Sequence, residues 1–466
     1  MSTDAELTDA ELADSELADS ELADLGQRVA VVTMGCARND VDSDELAGRL
    51  SSGGFALVSE PADADVVVVN TCGFIDAAKK DSIDAVLAAA DLRDSGRPSR
   101  VVAVGCLAER YGSELAESLP EADAVLGFDD YGQIATRLRQ VLNGESLAAP
   151  TPADRRVLPL VEAKAPTRRL LAPAPTANLK VASGCDRRCS FCAIPRFRGS
   201  FVSRPAADVL AEATWLAEQG VVEVFCVSEN TTAYGKDRGE PNALVQLLPQ
   251  LAALVPRVRV SYLQPAELRP QVVETIAGTP GVAPYFDLSF QHASQSILRR
   301  MRRFGGSESF LKLLEQIRNM APTAGIRSNV IVGFPGETEA DLAELETFLG
   351  EARLDVVGVF GYSDEEDTEA VTLDGHIDEA EIAERVERIS SLVGVLMDER
   401  ASERIGERVS VLVEAAGPDQ ATGRALHQGP EVDGVCLVPP GPRVGDVVEG
   451  VVSANVGIDL LVRVDA

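Results

Sequence analysis

Three times in its first quarter the chain repeats one pattern: an apolar run rich in valine, a small-residue turn, then a cysteine. The copies are VAVVTMGC ending at Cys36, VVVVNTC ending at Cys72 and VVAVGC ending at Cys106. Continuous apolar runs of this length read as strands buried on both faces, the kind found in parallel sheets covered by helices. Helical stretches begin near Asp42, Ala77 and Glu109, so strand and helix alternate across residues 27–145, and a doubly wound parallel sheet follows. In such a sheet, sites form in the crevice outside the carboxyl ends of the strands. Three cysteines just past three such ends therefore converge, although each is more than thirty residues from the next. Three converging thiolates suit a metal cluster with one open coordination position. The other reading is three buried small apolar residues, since unpaired cysteine is often core. A disulfide fits poorly, because nothing at the start of the chain resembles a secretion signal and cytosolic thiols stay reduced.

A second set is tighter. Cys185, Cys189 and Cys192 form a Cys-x3-Cys-x2-Cys run in SGCDRRCSFCAIP. Three thiolates so spaced can grip three irons of a cubic 4Fe-4S cluster and leave the fourth without a protein ligand. Full four-cysteine ligation makes an electron carrier, whereas an open site on a metal binds and activates a second molecule, as open zinc sites do. A zinc knuckle is the alternative, but zinc sites prefer Cys-x2-Cys pairs completed by a second pair or by His. The run, with Phe191 before its third cysteine, resembles the radical S-adenosylmethionine (SAM) superfamily. That resemblance implies a cluster that chelates SAM and reduces it to methionine and a 5′-deoxyadenosyl radical.

At 466 residues the chain is too long for one core. No apolar run reaches the eighteen or more residues that cross a bilayer, and a cytoplasmic enzyme is expected. With 74 acidic against 43 basic residues, the net charge of −31 repels nucleic acid and membrane surfaces and favours basic partners. Residues 1–26 form an acidic tail built on a five-residue repeat (TDAEL, TDAEL, ADSEL, ADSEL, ADL). Its composition predicts disorder. A proline-rich linker spans 146–177.

From 178 to 400 the alternation returns. Strands are expected at Leu179–Ala182, Val222–Val227, Val258–Tyr262, Phe286–Phe290, Asn329–Val332 and Val356–Phe360. Six βα units are too few for a closed eight-stranded barrel and suit a partial one, the fold that the superfamily resemblance implies, with its site at the carboxyl ends of the strands. Candidate cofactor-binding residues there are Glu229, Gln264, Gln291, His292 and the turn Gly333-Phe334-Pro335-Gly336-Glu337, within which Gly333, Pro335 and Glu337 are singled out. Each has a plainer reading: Gly and Pro turn the chain, and a single His is more often a hydrogen-bonded structural group. No catalytic side chain is expected beyond the cluster cysteines. Residues 401–466 read as short strands at Val409–Val413, Val435–Val438, Val447–Val452 and Leu460–Val464, a small β-barrel. It carries ten acids and five Arg, a net of −5, where an RNA-binding barrel should be basic.

Together these parts resemble the methylthiotransferases over everything but the acidic tail. The resemblance implies a flavodoxin-like amino-terminal domain, a partial (βα)6 radical SAM barrel and a TRAM-type β-barrel. GCARNDVDS around Cys36, NTCGFIDAAKKDSID around Cys72, GCLAERYGSELAESLPEADAVLG around Cys106, QHAS from Gln291, YSDEEDTEA from Tyr362 and PEVDG from Pro430 are similar to the ribosomal-protein (RimO-like) branch. The tRNA branch usually has Gln-Ser-Gly in place of Gln291-His292-Ala293, and a basic stretch in place of Ser363-Asp364-Glu365-Glu366. Departures from the family pattern are Asn178, Ser183 and the Glu229-Asn230 pair, none of them a cluster ligand. Cys226 and Cys436 read as core.

The branch resemblance implies methylthiolation of the β-carbon of one aspartate in ribosomal protein S twelve, free or in the small subunit. It also implies two 4Fe-4S clusters, a radical cluster on Cys185, Cys189 and Cys192 and an auxiliary one on Cys36, Cys72 and Cys106 that delivers the sulfur. Two SAM molecules and an electron donor such as flavodoxin or ferredoxin complete the set. A tRNA adenosine methylthiotransferase would share this chemistry, and an iron-sulfur electron carrier would need full cysteinyl ligation. The acidic barrel, with Glu431 and Asp433 in its Pro430–Gly434 segment, is expected to attract the basic substrate protein.

Overall fold

The computed structural model describes residues 26–156, 168–172, 174–430 and 432–465. The acidic repeat read over 1–25 and part of the proline-rich linker lie outside the described residues. The chain divides into two compact units, residues 1–153 with 160–171, and residues 154–159 with 172–466.

In the first unit, β1 (Arg28–Thr33), β2 (Ala56–Leu57), β3 (Val66–Thr71), β4 (Arg100–Gly105) and β5 (Ala124–Val125) form one parallel sheet in the order β2-β1-β3-β4-β5. This is the flavodoxin-like order, with its crevice at the switch point between β1 and β3. Alternate residues of each strand feed opposite cores. Val29, Val66, Val68, Val102 and Val104 pack with Leu46, Leu50, Ile134 and Leu138. Ala30, Val67, Val69, Val101 and Ala103 pack with Val86, Leu107 and Leu115 on the other face. Two helices begin about a turn earlier than their sequence predicts. Cys36 itself occupies the N-cap of helix Ala37–Ser52 without a side-chain cap bond, and Cys106 is the first residue of helix Cys106–Ser118. No Ser, Thr, Asp or Asn cap announces either start. Described linker residues are tied back to the unit. Pro150 accepts a hydrogen bond from the Ser113 amide at 3.0 Å, and the Arg168 guanidinium meets Asp44 at 2.8 and 3.1 Å.

The second unit opens with β6 (Thr176–Lys180). A two-stranded antiparallel ribbon follows, β7 (Ala182–Ser183) with β8 (Val202–Ser203). Next come β9 (Glu223–Val227), β10 (Arg257–Val260), β11 (Tyr285–Gln291), β12 (Gly325–Val332) and β13 (Val356–Gly361). Parallel pairing runs β10-β9-β6 and β11-β12-β13, and bridges Val258 to Val282 and Leu263 to Leu288 join the two halves. The result is a curved six-stranded parallel sheet, the partial barrel expected. Asp287 stitches the seam by accepting from the Tyr262 amide at 2.9 Å and from the Ser261 hydroxyl. Helix Glu379–Glu403, capped by Asp378, packs along β13; Arg400 and Arg404 from its last turn and C-cap meet Asp355.

A closed barrel completes the chain: β14 (Arg408–Ala416), β15 (Ala421–Ala425), β16 (Cys436–Val438), β17 (Val447–Val456) and β18 (Asp459–Val464), in the order β14-β15-β16-β18-β17. The sequence reading finds four of these strands and misses β15, whose Ala-Thr-Gly-Arg-Ala carries no large apolar residue. This barrel closes the amino ends of the parallel strands. Thr176 and Glu223, the first residues of β6 and β9, meet Glu414 and Arg424 at 3.0 and 3.1 Å. Gly325, the first of β12, lies so close to His427 that an added Cβ would stand 2.0 Å from its carbonyl oxygen.

Here the structure corrects one expectation. Asp433 does not face a partner. It is 4 % exposed, receives the Tyr285 hydroxyl at 2.6 Å and the Gly429 amide at 2.8 Å, and lies 3.5 Å from Arg327. Burial pushes its carboxyl above the usual range. The residue that looked like a docking charge joins the two barrels instead, and Glu431 lies outside the described residues.

Glu223 is the centre of that seam. Fully buried, it meets Arg259 at 2.9 Å, Arg424 at 3.1 Å and Arg257 at 3.5 Å. Burial alone would raise its pKa, but Arg259, Arg424 and Arg257 outweigh burial and bring it down to about 2. A folded pKa below the unfolded value of about 4.3 means stability that is complete above that pH and lost as pH falls toward the folded value. Glu223→Ala leaves three guanidinium groups without their shared carboxylate. It is expected to cost about 3–5 kcal/mol at neutral pH, with the difference narrowing as pH falls toward 2. Urea unfolding followed through the single tryptophan, Trp215, checks both.

Candidate metal centres

The three cysteines of the first unit stand at the carboxyl ends of the adjacent strands β1, β3 and β4. Their turns are packed too closely for side chains. A Cβ on Gly35, whose φ is +101°, would lie 2.7 Å from the Cys72 Cβ, and one on Gly73 would lie 2.9 Å from the Cys106 carbonyl. Asn39 ties the turns together. Its amide nitrogen donates to the Met34 carbonyl at 2.7 Å and to the Thr71 carbonyl at 3.2 Å, and its oxygen faces the Cys106 thiol at 3.7 Å. Each of these atoms belongs to a cysteine or to a neighbour within two residues of one. Cys72 is held further by Ser82, whose hydroxyl receives its amide at 2.8 Å. Cys72 and Cys106 are buried and Cys36 is half-buried. Sequence reasoning missed Asn39; the signal was its place one helical turn after Cys36.

In the second unit the ribbon of β7 and β8 closes a loop that carries Cys185, Cys189 and Cys192. Gly184 makes this loop possible. Its φ is +76°, and a Cβ there would lie 2.1 Å from the Ser200 carbonyl oxygen. The Cys185 amide donates to the Gly199 carbonyl at 3.0 Å, and the Arg187 amide points at the Cys185 sulfur at 3.4 Å. Burial pushes the Cys185 thiol up to about 12, with the neighbouring Glu229 and Cys189 adding to the effect. Cys192 is raised likewise by burial, then by Cys189 and Cys185. The three sulfurs thus lie within electrostatic reach of one another, and a bound metal would favour their thiolate forms, as coordination does for thiols. Arg303 is one of the cations that face this set, its Nη1 lying 3.6 Å from the Cys189 sulfur, and Arg187 acts on Cys185. Among the described residues no three of His, Cys, Asp and Glu are gathered tightly enough for a single metal ion.

The other candidates collect at the same end of the partial barrel. Glu229 follows β9 and acts on Cys185. Gln264 follows β10, its amide bonded to the Thr232 hydroxyl at 2.8 Å. Gln291 ends β11 in a left-handed conformation with φ of +72°. The Gly333–Glu337 turn follows β12 and folds on itself: the Glu337 carboxylate accepts the Gly333 amide at 3.0 and 3.1 Å and meets Arg385 at 2.6 Å. Arg300 Nε donates to the Pro335 carbonyl at 2.7 Å. His292, fully buried, accepts the Ser294 amide at Nδ1 (2.9 Å) and turns Nε2 toward Glu337 at 3.3 Å. Burial would raise Glu337, yet His292, Arg385 and the Gly333 amide together lower it. Arg300 and Arg385, which fasten this turn, escaped the sequence reading because Arg at helical spacing looks like a solvated face. At the departure pair, Asn230 takes a local role, receiving the Thr232 hydroxyl at 2.8 Å. Cys226 and Cys436 are fully buried within β9 and β16.

Three family profiles match: the uncharacterized protein family UPF0004 over residues 28–127, the radical SAM superfamily over 179–349 and the TRAM domain over 405–464. A partial parallel barrel whose carboxyl end carries this cysteine loop defines the class, a radical SAM enzyme. Among solved structures, the radical SAM methyltransferase TsrM from Kitasatospora setae shares the fold. Its complex with tryptophan and a SAM analog gives a TM-score of 0.52 at 15% identity, over 72% of this chain and 73% of that one. The ribosomal protein uS12 methylthiotransferase RimO of Nocardioides sp. is 61% identical over 93% of this chain and 96% of its own length. That of Kineococcus radiotolerans is 59% identical with the same coverages, and that of Streptomyces coelicolor 56%. The chain belongs to the RimO family of ribosomal protein uS12 methylthiotransferases.

Membership in the radical SAM superfamily implies a 4Fe-4S cluster and SAM. The loop of Cys185, Cys189 and Cys192 fits that group: three half-buried, mutually interacting thiols and a facing guanidinium, on a backbone that leaves no room for a side chain at Gly184. Gly184→Ala adds a methyl group where the backbone is left-handed and the Ser200 carbonyl is in the way. The variant is expected to stay folded by circular dichroism while losing about four irons per chain from this loop, as iron analysis after anaerobic reconstitution would read.

Proposed function

We propose that the chain transfers a methylthio group to the β-carbon of one aspartate in ribosomal protein uS12, with two 4Fe-4S clusters and two molecules of SAM. The observation that carries this reading is the pair of three-cysteine sets, each at the carboxyl end of its own parallel sheet, in a chain of this family. An iron-sulfur carrier without catalysis would need a fourth cysteine at each cluster. A 4Fe-4S cluster held by Cys185, Cys189 and Cys192 would supply the one-electron reduction of SAM, and with it radical chemistry at carbon that no general base could deprotonate.

The chain's own residues arrange this chemistry. Cys185, Cys189 and Cys192 hold the radical cluster. Glu229, Gln264, Gln291 and the Gly333–Glu337 turn line the end of the barrel where SAM binds. His292 and Glu337, engaged with each other and with Arg385, fix the shape of that turn and with it Gly333 and Pro335. Cys36, Cys72 and Cys106 hold the auxiliary cluster, with Asn39 spacing their turns. The protein's share is placement and exclusion of water. Substrate attraction rests on the net charge of −31, which draws a basic protein and repels phosphate backbones, rather than on Asp433. A one-electron donor such as flavodoxin or ferredoxin supplies the reducing equivalent. Among the described residues no helix is long and apolar enough to cross a membrane, and a ribosomal substrate implies work in the cytoplasm.

Anaerobic incubation of reconstituted protein with SAM, dithionite, sulfide and either uS12 or tRNA, followed by mass spectrometry, tests the reading. Methylthiolated uS12 is expected, and methylthiolated tRNA in its place would overturn the substrate. Reconstituted chain should bind about eight irons and Cys72→Ala about four. The Cys72→Ala protein should still release 5′-deoxyadenosine from SAM yet form no methylthio product. Loss of both activities with the radical cluster intact would refute separate roles.

A further inference from the structure

Arg303 is held against the cysteine loop by more than its own side chain. After helix Gln295–Arg300 the chain reverses at Arg302, whose φ is +56°, and the Arg303 amide returns to the Leu298 carbonyl at 2.7 Å. Ser190, next to Cys189, locks onto this turn from the other side. Its hydroxyl donates to the Arg300 carbonyl at 2.7 Å and its amide to the Met301 carbonyl at 3.2 Å. The guanidinium spans the gap, with Nη2 on the Ser289 carbonyl of β11 and Nη1 3.6 Å from the Cys189 sulfur. A barrel strand therefore aims a permanent positive charge at one cluster ligand. Arg302 beside it pairs outward with Glu369.

We propose that Arg303 raises the reduction potential of the cluster on Cys185, Cys189 and Cys192 by donating a charged hydrogen bond to the Cys189 sulfur. The inference rests on the reading that these cysteines hold a 4Fe-4S cluster. Reduction adds one electron to that cluster from an external one-electron donor, with no bond made or broken and no proton moved. The added charge spreads onto the ligand sulfurs, where N–H donors stabilise it, and hydrogen bonds to sulfur are among the terms that set such potentials. A guanidinium keeps its charge at any working pH and donates through a rigid fork. Arg303 is thus a positioning and tuning residue, acting through a ligand.

The test is a potentiometric titration of the full-length protein with both clusters reconstituted, using dithionite with viologen mediators and electron paramagnetic resonance. The signal that changes on adding SAM marks this cluster. Arg303→Met removes donor and charge. Its reduced-to-oxidised ratio is expected to fall about tenfold at the poise that half-reduces the parent, a shift of about 60 mV to more negative potential. Arg303→Gln keeps an N–H without the charge and should shift less. Iron content and SAM affinity of the oxidised protein should be unchanged. Parental potentials in both variants with iron intact would overturn the inference. So would weakened SAM binding at an unchanged potential, which would make Arg303 a cofactor contact. If Arg303→Met fails to retain its cluster, Arg303→Gln decides by the same reading. A parent protein without a SAM-sensitive signal would sink the cluster assignment itself, a separate failure.

Discussion

Parallel strands cannot be joined by tight turns. Each connection must carry the chain over a face and back, so the two ends of a parallel sheet are never equivalent. That asymmetry governs both units. In the first, every strand-to-helix turn that bears a cysteine falls at the same edge of the sheet. In the second, the cysteine loop, Gln264, Gln291 and the Gly333–Glu337 turn leave from the carboxyl ends of the barrel strands, while Thr176, Glu223, Arg257, Tyr285 and Gly325 begin them at the opposite end. The chemistry occupies one end and the structural seam the other, so a substitution in either is read without confusion from its neighbour.

Arginine does the electrostatic work in this acidic chain. Arg259 and Arg424 converge on Glu223, Arg385 holds Glu337, and Arg303 faces Cys189. A planar fork with several donors can serve two acceptors at once, as Arg303 does with Ser289 and Cys189, whereas the lysine ammonium is a hydrated point charge on a flexible stem. The surplus of carboxylates is largely a surface property.

Much of this architecture was legible in the sequence because it rests on period. Valine runs at buried strands, helix-length spacers and cysteines after strand ends are local signals, and all thirteen strands expected across the two parallel sheets and the last barrel overlap strands of the structure. Legibility ended where an element owes its form to a distant partner. β15 is a strand because β14 and β16 flank it, with no large apolar side chain of its own. Asp433 looked like a surface acid because nothing in Pro430–Gly434 announces that Tyr285, 148 residues earlier, will donate its hydroxyl to it. Asn39, Arg303 and Arg385 were invisible for the same reason: each acts across the fold, on a partner that period cannot name. The two glycines that matter most, Gly184 and Gly325, look alike in sequence. One is required by its dihedral and the other by a neighbour's carbonyl.

The seam around Glu223 also imposes an order on biosynthesis. Glu223, Arg257 and Arg259 leave the ribosome long before Arg424, which lies 201 residues beyond Glu223. Domains form largely as units during synthesis, but the amino end of this partial barrel cannot be sealed from water until the final β-barrel has emerged to cover it. Until Arg424 is made, Glu223 has only Arg257 and Arg259 of its three cationic partners. A terminal domain that resembles an appendage in the linear sequence is in this sense the closing step of its predecessor's folding.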